Sequence, residues 1–267
     1  MTFMFCDVRE FTVISEGYKH DPQGLTHLIN RFLTPMTGEI LAHNGTIDKY
    51  MGDSIMAFWN APLDNPQHPK DSVDAALKMI TRLAALNKEL EAEAVADGRP
   101  FKALRVGIGL NTGVCIVGNL GSEQRFDYSV LGDPVNLASR LEGQTKEYGF
   151  SIIMGESTAT SIPEYAMIEL DLIAVKGKEE AVKIYGLLGD KAHAQNTEFI
   201  NAKEAIETFL QLYLAQKWDS AEEKLLFIAG LNPRLEKFVK LYQERIDSFK
   251  LEPPPDDWDG VFRAETK

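Results

Sequence analysis

The stretch that most constrains the fold is FDYSVLGDPVNLASRL, residues 126–141, because it combines a strand, a tight turn and a helix start. Its pattern predicts a short strand over residues 126–130 and a turn at Gly132. Asp133 and Pro134 are typical of the N-cap and the first position of a helix. The strand and the tight turn therefore fix the direction in which the helix starts.

The predicted helix has one polar and one apolar face. Asn136 and Arg140 are four residues apart, so they lie on the same face. At about 100° per residue, the apolar side chains of Leu137, Ala138 and Leu141 point the opposite way, towards a core. An amide and a fixed cation held side by side suit the stabilisation of negative charge in a transition state. Taken alone, these residues are more typical of a solvated amphipathic helix.

The acidic balance of the chain limits its possible partners. The 267 residues carry a net charge of -12, which argues against general binding to nucleic acid or to anionic membranes. No apolar run approaches the roughly 20 residues of a membrane span, so we expect no direct membrane contact. Cys6 and Cys115 lie in apolar, strand-like runs and fit a reducing compartment. The chain starts directly in an apolar strand, so we expect it to be a fragment of a longer protein.

Residues 1–190 are predicted to form one α+β domain with helices outside a mixed sheet, not a regular βαβ alternation. Residues 191–267 are predicted to form a helical extension with a Pro-rich, Trp-containing tail. Part of that extension resembles a tetratricopeptide repeat, through Tyr213, Trp218, Ala221, Leu225 and Pro233. A single repeat cannot bury its own apolar face, so we expect it to pack on the α+β domain, a partner or another segment.

Two acidic residues occupy positions where chemistry is often found. Asp7 ends the predicted strand 2–8, and Asp53 lies at the tip of a predicted hairpin over residues 46–59. Carboxylate oxygens with few other protein ligands are what Mg²⁺ or Mn²⁺ uses when phosphates supply the remaining positions. Either residue alone is weak evidence, because Gly-Asp turns are common.

Four stretches together resemble the catalytic domain of the class III nucleotidyl cyclases. They are FCDVREFTVISE, IDKYMGDSIMAFWNAP, GIGLNTGVCIVGNLGSEQRFDYSVLGDPVNLASRLEG and VKGK, and they span about residues 1–188. The resemblance implies a ferredoxin-like mixed β-sheet with flanking helices. The extension, with its PPPDDWDGVF segment, is similar to bacterial adenylate cyclases that carry an extracellular CHASE2 sensor upstream. That similarity implies a cytoplasmic domain, in some cases the cytosolic part of a membrane receptor.

The resemblance also implies the residues of an active site. Asp7, Asp53 and the backbone carbonyl of Val8 would bind two Mg²⁺ or Mn²⁺ ions. Arg140 would stabilise charge on the α-phosphate of ATP, and Asn136 would orient the ribose.

Lys176, the first lysine of VKGK, would hold the terminal phosphates. The purine would be recognised by Lys49 and Ser129, a pair that favours ATP over GTP, since guanylyl cyclases typically carry Glu at the lysine position. Glu10, where many members have Gly, departs from the family pattern beside the metal loop.

In this family the metal-binding carboxylates and the Asn/Arg pair come from opposite subunits. A head-to-tail homodimer with two equivalent sites is therefore implied. Three alternatives stay open: a guanylyl cyclase, a non-catalytic nucleotide-binding signalling module, and a diguanylate cyclase. A non-catalytic module would be expected to lack a metal-binding Asp or the Arg. A diguanylate cyclase would be expected to carry a GG(D/E)EF-type hairpin where this chain has YMGDSI.

Overall fold

The computed structural model describes residues 1–174, 181–255 and 257–262. Two compact units divide the chain, Met1–Glu142 and Gly143–Lys267. Both contain strands and helices, which confirms the predicted α+β class. None of the helices in the described part of the chain is long and apolar enough to cross a membrane.

The sheet of the first unit is built around one largely buried strand, β1. Its four strands lie in the order β2-β3-β1-β4, with every neighbouring pair antiparallel. Phe3, Met4 and Cys6 of β1 are 0% exposed, as expected for a central strand. The bounds confirm the predicted first strand and hairpin: β1 is Thr2–Val8, β2 is Thr46–Met51, β3 is Ser54–Trp59 and β4 is Val106–Thr112.

Three helices lie entirely within the first unit: α1 (Phe11–Gly17), α2 (Pro22–Ala42) and α3 (His68–Ala96). α2 begins where the carboxylate of Asp21 accepts a hydrogen bond from the amide of Gly24 at 2.9 Å. α1 was not predicted, because residues 9–12 resemble a loop. It follows Glu10, whose φ of 56° is in the left-handed region.

A separate two-stranded hairpin consists of β5 (Ile116–Gly121) and β6 (Phe126–Leu131). β5 continues to Gly121 and leaves only a short turn before β6. The strand predicted over residues 126–130 is confirmed and is followed by α4, Asp133–Tyr148.

The second unit combines the last strands with the C-terminal helices. Its strands are antiparallel in the order β7-β9-β8, namely Ile152–Gly155, Ala181–Gly189 and Ala166–Ala174. A short helix, α5 (Glu156–Ala159), follows β7. The predicted helical extension contains three α-helices within the described residues: α6 (Thr197–Leu214), α7 (Trp218–Ala229) and α8 (Glu236–Leu251).

The C-terminal helices pack on β8. The hydroxyl of Tyr242 donates to the carbonyl of Leu170 at 2.7 Å, and the buried Arg245 contacts Asp171 at 2.6 Å. The helices therefore share a core with strands that precede residue 190. The division at residue 190 and the resemblance to a tetratricopeptide repeat both stay predictions.

Candidate active site

Asp7 and Asp53 meet at the end of β1. β1 carries Asp7 to its penultimate position, where Oδ1 accepts a hydrogen bond from the hydroxyl of Ser54. Asp53 follows Gly52, whose φ of 67° forms the tight turn between β2 and β3. Both aspartates are half-buried. The structure therefore brings together two carboxylates that lie far apart in the sequence.

The environment of Asp53 favours its protonated form. Burial and then the charge of Asp7 raise the pKa of Asp53 to about 6, although an amide hydrogen bond from Val8 acts the other way. Glu142, which the sequence did not single out, lies in the same electrostatic field. Burial and then the charge of Asp7 raise the pKa of Glu142 to about 7. This corner of the unit is thus rich in closely spaced negative charge.

These residues fit a divalent cation. Two carboxylates held together out of bulk water repel one another, and a cation between them would remove that cost. Within the described residues no group of three or more His, Cys, Asp or Glu side chains is placed to hold a metal. Mg²⁺ is often bound by one or two carboxylates together with substrate phosphates, and the Asp7/Asp53 pair fits that type of site.

Asn136 and Arg140 occupy the outer face of α4 as predicted. Asn136 is exposed and Arg140 is half-exposed, while Leu137, Ala138 and Leu141 are buried.

The opposite face of α4 packs closely on β4. A side chain at Gly109 would place its Cβ only 2.1 Å from the carbonyl oxygen of Ala138. The amide of Asn111 also donates to the carbonyl of Pro134 at 3.0 Å, which fixes the start of the helix. A rigid helix therefore carries the amide and the cation.

Lys49 and Ser129 are brought together by a residue that the sequence did not single out. The hydroxyl of Ser129 donates to Oδ2 of Asp48 at 2.5 Å, and Nζ of Lys49 lies 3.1 Å from Oδ1 of the same carboxylate. The β2–β3 register shifts between Ile47 and Lys49, so Asp48 sits at a bulge. A bulge of this kind has no clear sequence pattern, which explains why Asp48 was missed.

By hydrogen bonds and ion pairs, the predicted site residues fall into separate groups. In the part of the chain that the structure describes, no hydrogen bond or ion pair joins Asp7 or Asp53 to Asn136 or Arg140. Lys49 and Ser129 make a third group around Asp48. Lys176 lies outside the described residues.

Comparisons with known proteins agree on one family. A model of the adenylate and guanylate cyclase catalytic domain matches residues 1–189. Adenylate cyclase 1 of Rhizobium meliloti is 32% identical over 199 residues, which is 74% of this chain and 29% of that protein. The adenylate cyclase of Anabaena cylindrica is 36% identical over 189 residues, covering 69% of this chain and 36% of its own length. The chain thus spans about a third of these relatives.

Solved structures give the same result. The adenylyl cyclase CyaB from P. aeruginosa superposes with a TM-score of 0.62 at 34% identity, covering 71% of this chain and 93% of its own. The guanylyl cyclase Cya2 superposes with a TM-score of 0.60 at 30% identity, covering 71% and 91%. Neighbours of both base specificities therefore share this architecture, and the fold alone does not select the nucleotide.

Proposed function

This chain belongs to the adenylate and guanylate cyclase catalytic-domain family, and we propose that it converts ATP to 3′,5′-cyclic AMP and pyrophosphate. The observation that carries the proposal is the pair of half-buried carboxylates, Asp7 and Asp53, at the end of β1. They match the Asp positions of the class III cyclase motifs, and their crowding fits a site for divalent cations.

In the proposed reaction the ribose 3′-oxygen attacks the α-phosphorus in line, and pyrophosphate leaves. Asp7, Asp53 and the carbonyl of Val8 would hold two Mg²⁺ or Mn²⁺ ions. Those ions would lower the pKa of the 3′-hydroxyl and neutralise the triphosphate. Arg140 donates hydrogen bonds to the α-phosphate oxygens as their charge grows, and Asn136 orients the ribose. Lys176 holds the terminal phosphates.

The base would be selected by Lys49 and Ser129. The ammonium of Lys49 can donate to N1 of adenine, whereas N1 of guanine carries a proton and cannot accept. The hydroxyl of Ser129 can accept from the 6-amino group. A guanylyl cyclase is the alternative, because a serine hydroxyl can also donate.

The active unit would be a head-to-tail homodimer. Each chain contains the two carboxylates and the Asn136/Arg140 pair once, so two chains arranged head to tail can form two equivalent sites. We also propose a finer fold assignment, namely a ferredoxin-like mixed sheet with a tetratricopeptide-like extension. The proposed location of the chain is cytoplasmic.

An assay with ATP and GTP side by side, in Mn²⁺ and in Mg²⁺, tests the activity. We expect cyclic AMP as the main product, with a specific activity that rises with protein concentration. Asp7→Asn should abolish turnover, whereas Asp64→Asn, at an exposed loop position, should not. Faster formation of cyclic GMP would instead identify a guanylyl cyclase. Nucleotide binding without either product would identify a non-catalytic module.

A further inference from the structure

We propose that Asp48 sets the base specificity of the nucleotide site by fixing Ser129 as a hydrogen-bond acceptor. The inference rests on the proposed function, since it assumes that Lys49 and Ser129 face the purine. It adds a positioning residue that acts through Ser129 and does not itself contact the base.

The contact between Asp48 and Ser129 is enclosed. The side chain of Asp48 is 0% exposed, and its Oδ2 accepts the Ser129 hydroxyl proton at 2.5 Å. Ser129 itself is 7% exposed. Water therefore has little access with which to compete for this hydrogen bond, and a buried carboxylate accepts strongly from a neutral donor.

A serine hydroxyl has one proton and two lone pairs. Once Asp48 holds the proton, only the lone pairs are left for a ligand. The lone pairs can accept a hydrogen bond from the 6-amino group of adenine. The 6-carbonyl of guanine is itself an acceptor, so it cannot form a hydrogen bond with them. A hydroxyl that was free to rotate would serve either base, so the carboxylate converts an ambiguous residue into a selective one.

Asp48 also forms an ion pair with the second base-reading group, although its Oδ1 accepts no hydrogen bond within the described residues. Nζ of Lys49 lies 3.1 Å from Oδ1, and the Lys49 side chain is 42% exposed. The ammonium is therefore held beside the enclosed carboxylate while part of it stays open to a ligand. Its counter-charge also makes the burial of Asp48 tolerable, because an unpaired buried carboxylate is costly. One carboxylate thus contacts both residues.

Asp48→Asn tests the role of the acceptor directly. The introduced amide can donate to Ser129 Oγ, which frees the hydroxyl proton for the guanine carbonyl. We expect the ATP:GTP ratio of kcat/KM to fall about tenfold or more, mainly through improved use of GTP. Asp127→Asn is the matched control, since Asp127 is exposed on the same strand two residues from Ser129. It removes the same charge and should leave the ratio unchanged.

Ser129→Ala provides a test that leaves Asp48 in place, should Asp48→Asn fail to fold. An acceptor-only serine contributes to ATP alone, so its loss should lower kcat/KM for ATP and leave that for GTP equal or higher. Ser129→Thr keeps the hydroxyl and should preserve the ratio. Equal losses for ATP and GTP in Ser129→Ala would overturn the inference.

The affinities of 3′-deoxy-ATP and 3′-deoxy-GTP, measured by calorimetry with Mn²⁺, separate the two proposals. These analogues lack the attacking hydroxyl, so they report base selection without turnover. If the wild-type chain makes cyclic AMP but the ATP:GTP affinity ratio is unchanged in Asp48→Asn and Ser129→Ala, the role of Asp48 is overturned and the proposed function is kept. A shifted affinity ratio in a chain without turnover would overturn the function and support the role of Asp48.

Discussion

Arg140 is a fixed cation on a rigid surface, and its proposed role makes a definite kinetic prediction. Arg140→Ala should lower kcat by about 10²–10³-fold and change KM little, because the contact strengthens only as charge develops. Arg140→Lys should also be slow, since an ammonium cannot reproduce the planar fork of a guanidinium. Steady-state rates with ATP would measure both.

Arg125→Ala is a suitable control for Arg140, because Arg125 is exposed in the turn between β5 and β6 and has no assigned role. It should behave as wild type. A large rise in KM with unchanged kcat in Arg140→Ala would show that Arg140 binds the ground state and would contradict its assignment.

Residues of the candidate site differed in how well the sequence could predict them. The buried face of α4 was predictable from helical periodicity, because Leu137, Ala138 and Leu141 follow one stripe. Asp48 was not predictable, because its partner Ser129 is 81 residues away and a bulge aims its side chain. Chemistry that depends on pairing between distant strands leaves no local pattern.

Among the elements, the position of α4 depends on a single glycine in β4. In Gly109→Ala the new Cβ would lie 2.1 Å from the Ala138 carbonyl oxygen and 2.3 Å from the Glu142 amide nitrogen, both backbone atoms. The helix must move, since backbone cannot rotate away. We expect a loss of about 1–3 kcal/mol in the free energy of unfolding, typical of overpacking. Activity should fall further than stability explains, because Asn136 and Arg140 move with α4.

Gly118→Ala is the matched control for Gly109→Ala, because no atom lies within 4 Å of a Cβ added at Gly118. Denaturant unfolding and cyclase assays on the two variants would compare them. Wild-type activity in a folded Gly109→Ala chain would show that the placement of α4 tolerates displacement.

Elements with local start signals were predictable, and those without them were not. α2 has such a signal, because Asp21 is a side-chain cap and Pro22 follows it at the first helical position. α1 has no side-chain cap. The residue before it, Glu10, is instead paired with Lys102 at 2.9 Å and Arg105 at 3.2 Å, which are distant in sequence. The family-divergent Glu10 thus acquires partners that only the folded chain reveals.

At the scale of the whole molecule, the second unit contains a buried ion pair. Arg245 of α8 lies 2.6 Å from Oδ2 of Asp171 on β8, with both side chains under 10% exposed, and Tyr148 donates to the same carboxylate. Burial alone would lower the pKa of Arg245, but the field of Asp171 outweighs it and raises that pKa above its usual range. The C-terminal helix is therefore tied to the strands by charge as well as by apolar packing.

Arg245→Met should lower the free energy of unfolding by about 3–5 kcal/mol, because it leaves Asp171 buried without its counter-charge. Lys240→Met, on an exposed position of the same helix, should have little effect. Adding Asp171→Leu to Arg245→Met should recover part of the loss. Denaturant melts of the three variants would measure this, and an Arg245→Met chain as stable as wild type would show that the pair does not hold the unit.

The sequence predicted a helical extension and left open whether it packs on the α+β domain, a partner or another segment. α6, α7 and α8 have amphipathic periods, which is why the extension was predicted to be helical. Their association with β8 depends on contacts such as Tyr242 to Leu170, which are 72 residues apart. The boundary at residue 190 was drawn from the change in composition and stays a prediction.

The proposed homodimer makes a prediction that no single chain can satisfy. Asp7→Ala and Arg140→Ala each disable both sites of their own homodimer, because each site needs one residue from either subunit. In a mixed dimer one site loses both residues and the other keeps both. An equal mixture that exchanges subunits freely should therefore recover about a quarter of wild-type activity, since half of its dimers carry one working site of two.

A mixture of Asp7→Ala with Asp53→Ala is the control. It should recover no activity, because at each site Asp7 and Asp53 come from the same subunit, so every site of a mixed dimer still lacks one of them. Cyclic AMP formation at increasing protein concentration would measure the recovery. If the first mixture stayed inactive at concentrations where wild type is fully dimeric, Asp7 and Arg140 would have to act within one chain.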